Sequence, residues 1–132
     1  MATPPPVAKP SRPVYLDLTS IRQPLPAIVS ILHRASGALL FLAGIPLSLW
    51  ALQTSLGSAD AYAGFAAALS HPLAKLVAIG LAWAYLHHLL AGVRHLLLDL
   101  HVGIDLASAR RSSAIVFVLA LLLTLGLAIR LW

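Results

Sequence analysis

The chain has 132 residues, 60% of them hydrophobic and only 10% charged, with a mean hydropathy of +0.91. A soluble domain carries about 25% charged residues, so this composition excludes an ordinary globular enzyme and points to an integral membrane protein. The formal charge of +5 reads as a topology signal rather than a nucleic-acid surface, because the basic residues are divided between the ends of apolar spans. Cysteine is absent and the one methionine is Met1, which excludes disulfides and thiolate metal sites. A redox metal held by this chain must therefore use histidine, of which there are six.

Residues 1–13, MATPPPVAKPSRP, hold five of the nine prolines and no apolar run. They read as a disordered tail rather than a signal peptide. Residues 14–132 form the membrane domain. Its first segment, VYLDLTSIRQPLP, reads as extended or irregular chain, with Pro24 and Pro26 suited to a helix entry. Three transmembrane helices are predicted near 27–53, 72–100 and 110–131, and at about 1.5 Å per residue each can cross a ~30 Å hydrocarbon core. Pro46 is expected to kink the first. The stretch QTSLGSADAYAGFAAALSHP is expected to be a loop, and HVGIDLASARRSS a polar linker before the third span.

Lys9, Arg12, Arg22, Arg34, Arg94, Arg110 and Arg111 fall on one side of this arrangement, and only Lys75 and Arg130 on the other. The positive-inside rule then places the N-terminus in the cytoplasm and the C-terminus in the periplasm. Trp50 and Trp132 fall at the outer interface, where indoles commonly sit.

Ionisable groups inside a span are costly, so they face protein, water or a cofactor. One cluster is Ser30, His33 and Arg34 in SILHRASG; the other is His87, His88, Arg94, His95 and Asp99 in HHLLAGVRHLLLD. His88 and His95 are two turns apart on one face, with Gly92 and Ala84 on the same stripe. His87 is rotated by about 100°, on a stripe with Gly80, Ala91 and Arg94, so periodicity leaves both histidines open with a slight preference for His88. Imidazole suits axial ligation of a b-type haem. His33, Arg34, Arg94 or His95, nearer the inner surface, suit the propionate carboxylates. Asp99 suits a proton from the His95 ring or the Arg94 charge. The bland alternative is an interhelical hydrogen bond from the histidine and arginines that snorkel to the headgroups. Ser30 and Arg34 form an i, i+4 pair that suits a quinone carbonyl, on which reduction builds negative charge. Their alternative roles are back-bonding of the serine to the helix and interfacial anchoring of the arginine.

Taken together, RPVYLDLTSIRQPLPAIVSILHRASG (residues 12–37) and HLLAGVRHLLLD (residues 88–99) resemble the cytochrome b membrane-anchor subunit of bacterial succinate dehydrogenase, respiratory complex II. The resemblance runs from Arg12 to the C-terminus and leaves the first eleven residues outside it. It implies an anchor of a succinate:ubiquinone oxidoreductase in the bacterial inner membrane, with no enzymatic activity of its own. It implies haem b with His88 as one axial ligand and the other supplied by a second membrane anchor subunit. It also implies Ser30 and Arg34 at the quinone, His33, Arg34 and His95 near the haem propionates, and iron–sulfur and flavoprotein subunits as partners. One departure from the family pattern is His87, where an apolar or aromatic residue is more usual. A haem-free or fumarate reductase-type anchor and a structural small membrane protein are the competing readings.

Overall fold

The structure is a computed structural model that describes residues 21–132. The proline-rich tail and the start of the segment after it lie outside the described residues. Those residues form α1 (Leu25–Leu39), a π-helical turn (Leu40–Gly44), α2 (Ile45–Gly57), α3 (Ala59–Leu69), α4 (Pro72–Asp99) and α5 (Leu106–Leu131). Three stretches are long and apolar enough to cross a membrane: Leu25–Gly57, Pro72–Asp99 and Leu106–Leu131, with mean hydropathies of 1.8, 1.6 and 2.6. The all-α architecture with three apolar spans is as expected.

Each helix end has a local cause. Pro24 is extended and Pro26 occupies the first turn of α1, where a missing N–H costs nothing. At the start of α4, His71 Nδ1 accepts from the Leu73 N–H at 3.2 Å. The start of α5 is capped by Asp105, whose carboxylate accepts from the Ser108 N–H at 3.0 Å. Hydrogen bonds from the Ser108 side chain and backbone hold that carboxyl below its ordinary value. Because the polar linker supplies this cap, α5 begins earlier than the sequence pattern suggests. The end of α4 closes with His101 N–H to Leu98 O and Val102 N–H to Leu97 O, both 2.9 Å. This paired closure needs a left-handed residue, here His101 at φ 62°, where glycine is usual.

Two expectations are corrected. The loop foreseen after the first span is largely α3, because Ser58 Oγ accepts from the Ala61 N–H at 3.1 Å and alanine-rich chain follows. The helix folds back on α2, where Phe65 meets Trp50 edge-on at 5.7 Å between ring centroids. The distortion foreseen at Pro46 lies in the turn before it. Pro46 has no N–H, and the Ile45 N–H reaches back five residues to Leu40 O, widening the helix locally. Beyond this turn α2 stands clear of α4, leaving an apolar cleft of about 710 Å³ between α2, α3 and α4.

Helices α1, α4 and α5 meet along a narrow seam of small residues. Val29, Ala84, Ala91, Val116 and Ala120 are buried there, together with Ser36, His87, Arg94, Ser113 and Thr124. The hydroxyls of Ser113 and Thr124 bond back to Ala109 O and Ala120 O, each at 2.7 Å. They thereby satisfy themselves and let neighbouring backbones approach, as helices in lipid require. The large aliphatic side chains point outward instead, with Leu42 and Leu56 among the most exposed.

Candidate functional site

The seam carries a cluster of imidazoles across α1 and α4. The His33 ring stacks on His88, with centroids 4.2 Å apart and planes 17° apart, and lies 4.9 Å from the His95 ring. The two-turn spacing of His88 and His95 puts both on the face that meets His33. One glycine is needed for an approach this close, and a second merely lines it. A Cβ on Gly37 would come within 2.8 Å of His88 Cε1, and one on Gly92 would lie 3.5 Å from His33 Nε2.

The hydrogen bonds of the two adjacent histidines separate them chemically. His88 Nδ1 lies 3.0 Å from His33 O and 3.3 Å from Ser36 Oγ. A carbonyl only accepts, so Nδ1 carries the hydrogen and Nε2 presents the lone pair. The half-buried His88 therefore has one nitrogen anchored on a carbonyl and a lone pair on the other, a donor set that could hold a metal. His87 is wired in the opposite sense. Its Nε2 lies 3.4 Å from Val29 O and so carries the hydrogen, while the lone pair on Nδ1 is buried without a partner among the described residues. The His87 ring is 0% exposed, closed in by Trp83 and Phe117.

The structure thus brings together His33, His88 and His95. Ser30 is half-buried and Arg34 exposed, on the α1 stripe that continues through Gly37 to His88. Arg94 turns away from this cluster. Its Nε donates to Ser112 Oγ at 3.0 Å and its Nη2 to Ala109 O at 3.5 Å, so the guanidinium ties α4 to α5. Asp99 sits exposed at the end of α4, apart from both of these bonds. Ala84, assigned by spacing to the His88 stripe, belongs to the buried stripe of His87, Ala91 and Arg94.

Three contributors were not foreseen: Ser36, Gly37 and Ser112. The first two lie three and four residues after His33, a spacing that marks them as neighbours on its face. Among the described residues, no group of three or more His, Asp or Glu is arranged to enclose a metal ion. Along α4 the His88 face runs on through Tyr85, Leu81 and Ala78 into an apolar groove of about 510 Å³, closed on the other side by Leu40, Gly44 and Ile45.

The sequence pattern of the succinate dehydrogenase/fumarate reductase transmembrane subunit matches residues 8–127. A succinate dehydrogenase cytochrome b556 subunit from Coxiella burnetii is 37% identical over 122 residues, spanning 92% of this chain and 97% of the relative. Its counterpart from Paracoccus denitrificans is 38% identical over 103 residues, 78% of each chain. The human mitochondrial cytochrome b560 subunit is 29% identical over 120 residues, 89% of this chain and 70% of the relative. Each is named as a cytochrome b subunit of succinate dehydrogenase, as the resemblance led us to expect. With that pattern matched over most of its length and relatives aligned through both histidine-bearing helices, the chain belongs to the succinate dehydrogenase/fumarate reductase transmembrane subunit family.

Proposed function

We propose that the chain is the membrane-anchor cytochrome b subunit of a bacterial succinate:ubiquinone oxidoreductase, holding haem b at His88 and forming part of the quinone site with Ser30 and Arg34. The observation that carries this reading is the His88 Nδ1 bond to His33 O, which leaves Nε2 free of hydrogen and oriented by a fixed ring. When bound, haem b supplies one-electron redox chemistry. The partner anchor subunit would supply the other protein ligand to the iron. His33, His95 and Arg34 offer cations and N–H donors to the propionate carboxylates. The apolar groove beyond His88 suits the rest of a flat hydrophobic ring.

The Ser30 hydroxyl and the Arg34 guanidinium both donate to a quinone carbonyl, and the fixed cation stabilises the negative charge that reduction places on that oxygen. Protons come from the cytoplasm. The charges support this orientation. Arg22, Arg34, Arg110 and Arg111 lie at one end of the three spans, while Lys75 and Arg130 lie at the other. There Lys75 Nζ bonds the Trp132 carbonyl at 3.3 Å and sits 5.5 Å over the indole centroid. This supports a cytoplasmic N-terminus and a periplasmic C-terminus in the inner membrane. Succinate oxidation falls to a flavoprotein subunit, and an iron–sulfur subunit relays the electrons.

The test is a reduced-minus-oxidised spectrum of the purified assembly. His88→Leu is expected to abolish the b-type band and His87→Leu to leave it in place; the reverse result reassigns the ligand. In the same preparations Arg34→Leu is expected to lower ubiquinone reduction far more than succinate oxidation by an artificial dye. Equal loss of both activities refutes the quinone assignment.

A further inference from the structure

His87 has no part in the site proposed above, yet it is the largest fully buried side chain of the seam. We infer that His87 is a positioning residue that fixes the rotation and height of α4 on α1 and thereby aims His88. The inference rests on the reading of His88 as the haem ligand.

The two neighbouring imidazoles donate to α1 carbonyls four residues apart, one turn on the same face: His87 Nε2 to Val29 O at 3.4 Å and His88 Nδ1 to His33 O at 3.0 Å. Consecutive side chains on a helix leave it about 100° apart, so the pair straddles α1. A single bond lets α4 roll about that point. Two bonds at different angles and heights remove both the roll and the slide. Ala84 and Ala91, on the same α4 stripe, are too small to hold that rotation, and the His33–His88 stack lies on the His88 side alone.

The surroundings show which atom of His87 is in use. Trp83 stacks on the ring at 5.3 Å with planes 19° apart, and Phe117 of α5 closes it edge-on at 6.5 Å. His87 Nδ1 and Trp83 Nε1 are both buried without a hydrogen-bond partner among the described residues. A phenyl or isobutyl group in this aromatic pocket strands no polar atom, whereas imidazole strands one. The compensating gain is the Nε2–H directed at Val29 O.

In the whole complex, His87→Phe keeps the volume and removes the donor, while His87→Gln restores a donor at comparable reach. The readout is the low-spin EPR signal of the haem, recorded beside haem content per complex. His87→Phe is expected to retain the haem but to broaden or split the signal, and His87→Gln to return it towards the single wild-type form. A His87→Phe signal superimposable on the wild type, or a His87→Gln signal matching that of His87→Phe, overturns the inference. If phenylalanine blocks assembly, His87→Leu takes its place in the same comparison. His88→Leu is run in parallel. Loss of haem there with an unperturbed His87→Phe signal defeats the positioning role alone, whereas haem retained in His88→Leu defeats the ligand reading beneath it.

Discussion

Replacing Gly37 with alanine tests the His88 geometry without touching any imidazole. The added Cβ falls 2.8 Å from His88 Cε1 and 3.3 Å from Nδ1, whereas ordinary contact begins at 3.4 Å, so the ring must retreat by about 0.6 Å. It is not free to do so. Nδ1 is tied to His33 O at 3.0 Å and the His33 ring lies against its face. Retreat from α1 stretches that bond out of hydrogen-bonding range, a loss of about 0.5–1.5 kcal/mol, and overpacking adds about 1–3 kcal/mol. A ligand that loses its orienting partner commonly binds its metal roughly 10–100-fold more weakly. The expected result is a lower haem-to-complex ratio and faster haem loss to a scavenging apoprotein. Gly80→Ala is the control: it lies on α4 with open space around its Cβ, so haem retention should match the wild type. Undiminished haem and an unaltered spectrum in Gly37→Ala would refute the reasoning.

Arg94→Ala removes two hydrogen bonds from a buried guanidinium and is expected to destabilise the α4–α5 contact by about 1.5–3 kcal/mol, read as a lower melting temperature in detergent. Ser112→Ala should cost less, because the second Arg94 bond, to Ala109 O, survives it; equal losses would argue against a distributed tie. His101→Gly relieves a left-handed residue at the end of α4, a penalty of about 1–2 kcal/mol partly offset by the backbone entropy of glycine, and is expected to raise stability with the haem spectrum unchanged. A lower melting temperature would show that the imidazole itself contributes there.

The three spans were legible because bilayer thickness dictates the length of an apolar run, and the described residues hold three such runs. Helix α3 was not, since Gly57–Ser58 before it and Ser70 to Pro72 after it resemble loop punctuation, while Ser58 serves as a cap. Only the α4 half of the imidazole cluster followed from spacing, because His88 and His95 share a face; the stacking of His33 from α1 did not. The choice between His87 and His88 could not be reached that way. Periodicity describes one helix, whereas the hydrogen bonds that distinguish the two rings run to carbonyls of another, Val29 O and His33 O. The same limit applies to Arg94. Its sequence neighbours suggested the propionates, but the acceptors it meets, Ser112 and Ala109, belong to a helix whose docking no local pattern encodes.

The widened turn at Leu40–Gly44 puts the two halves of the first span out of phase. An ideal wheel drawn through the whole of Leu25–Gly57 therefore assigns α2 residues to the wrong sector, and Trp50 meets Phe65 rather than continuing the line of Val29 and Ser36. The α2 half of the span can accordingly drift in sequence, or repack around α3, without turning the histidines at the other end.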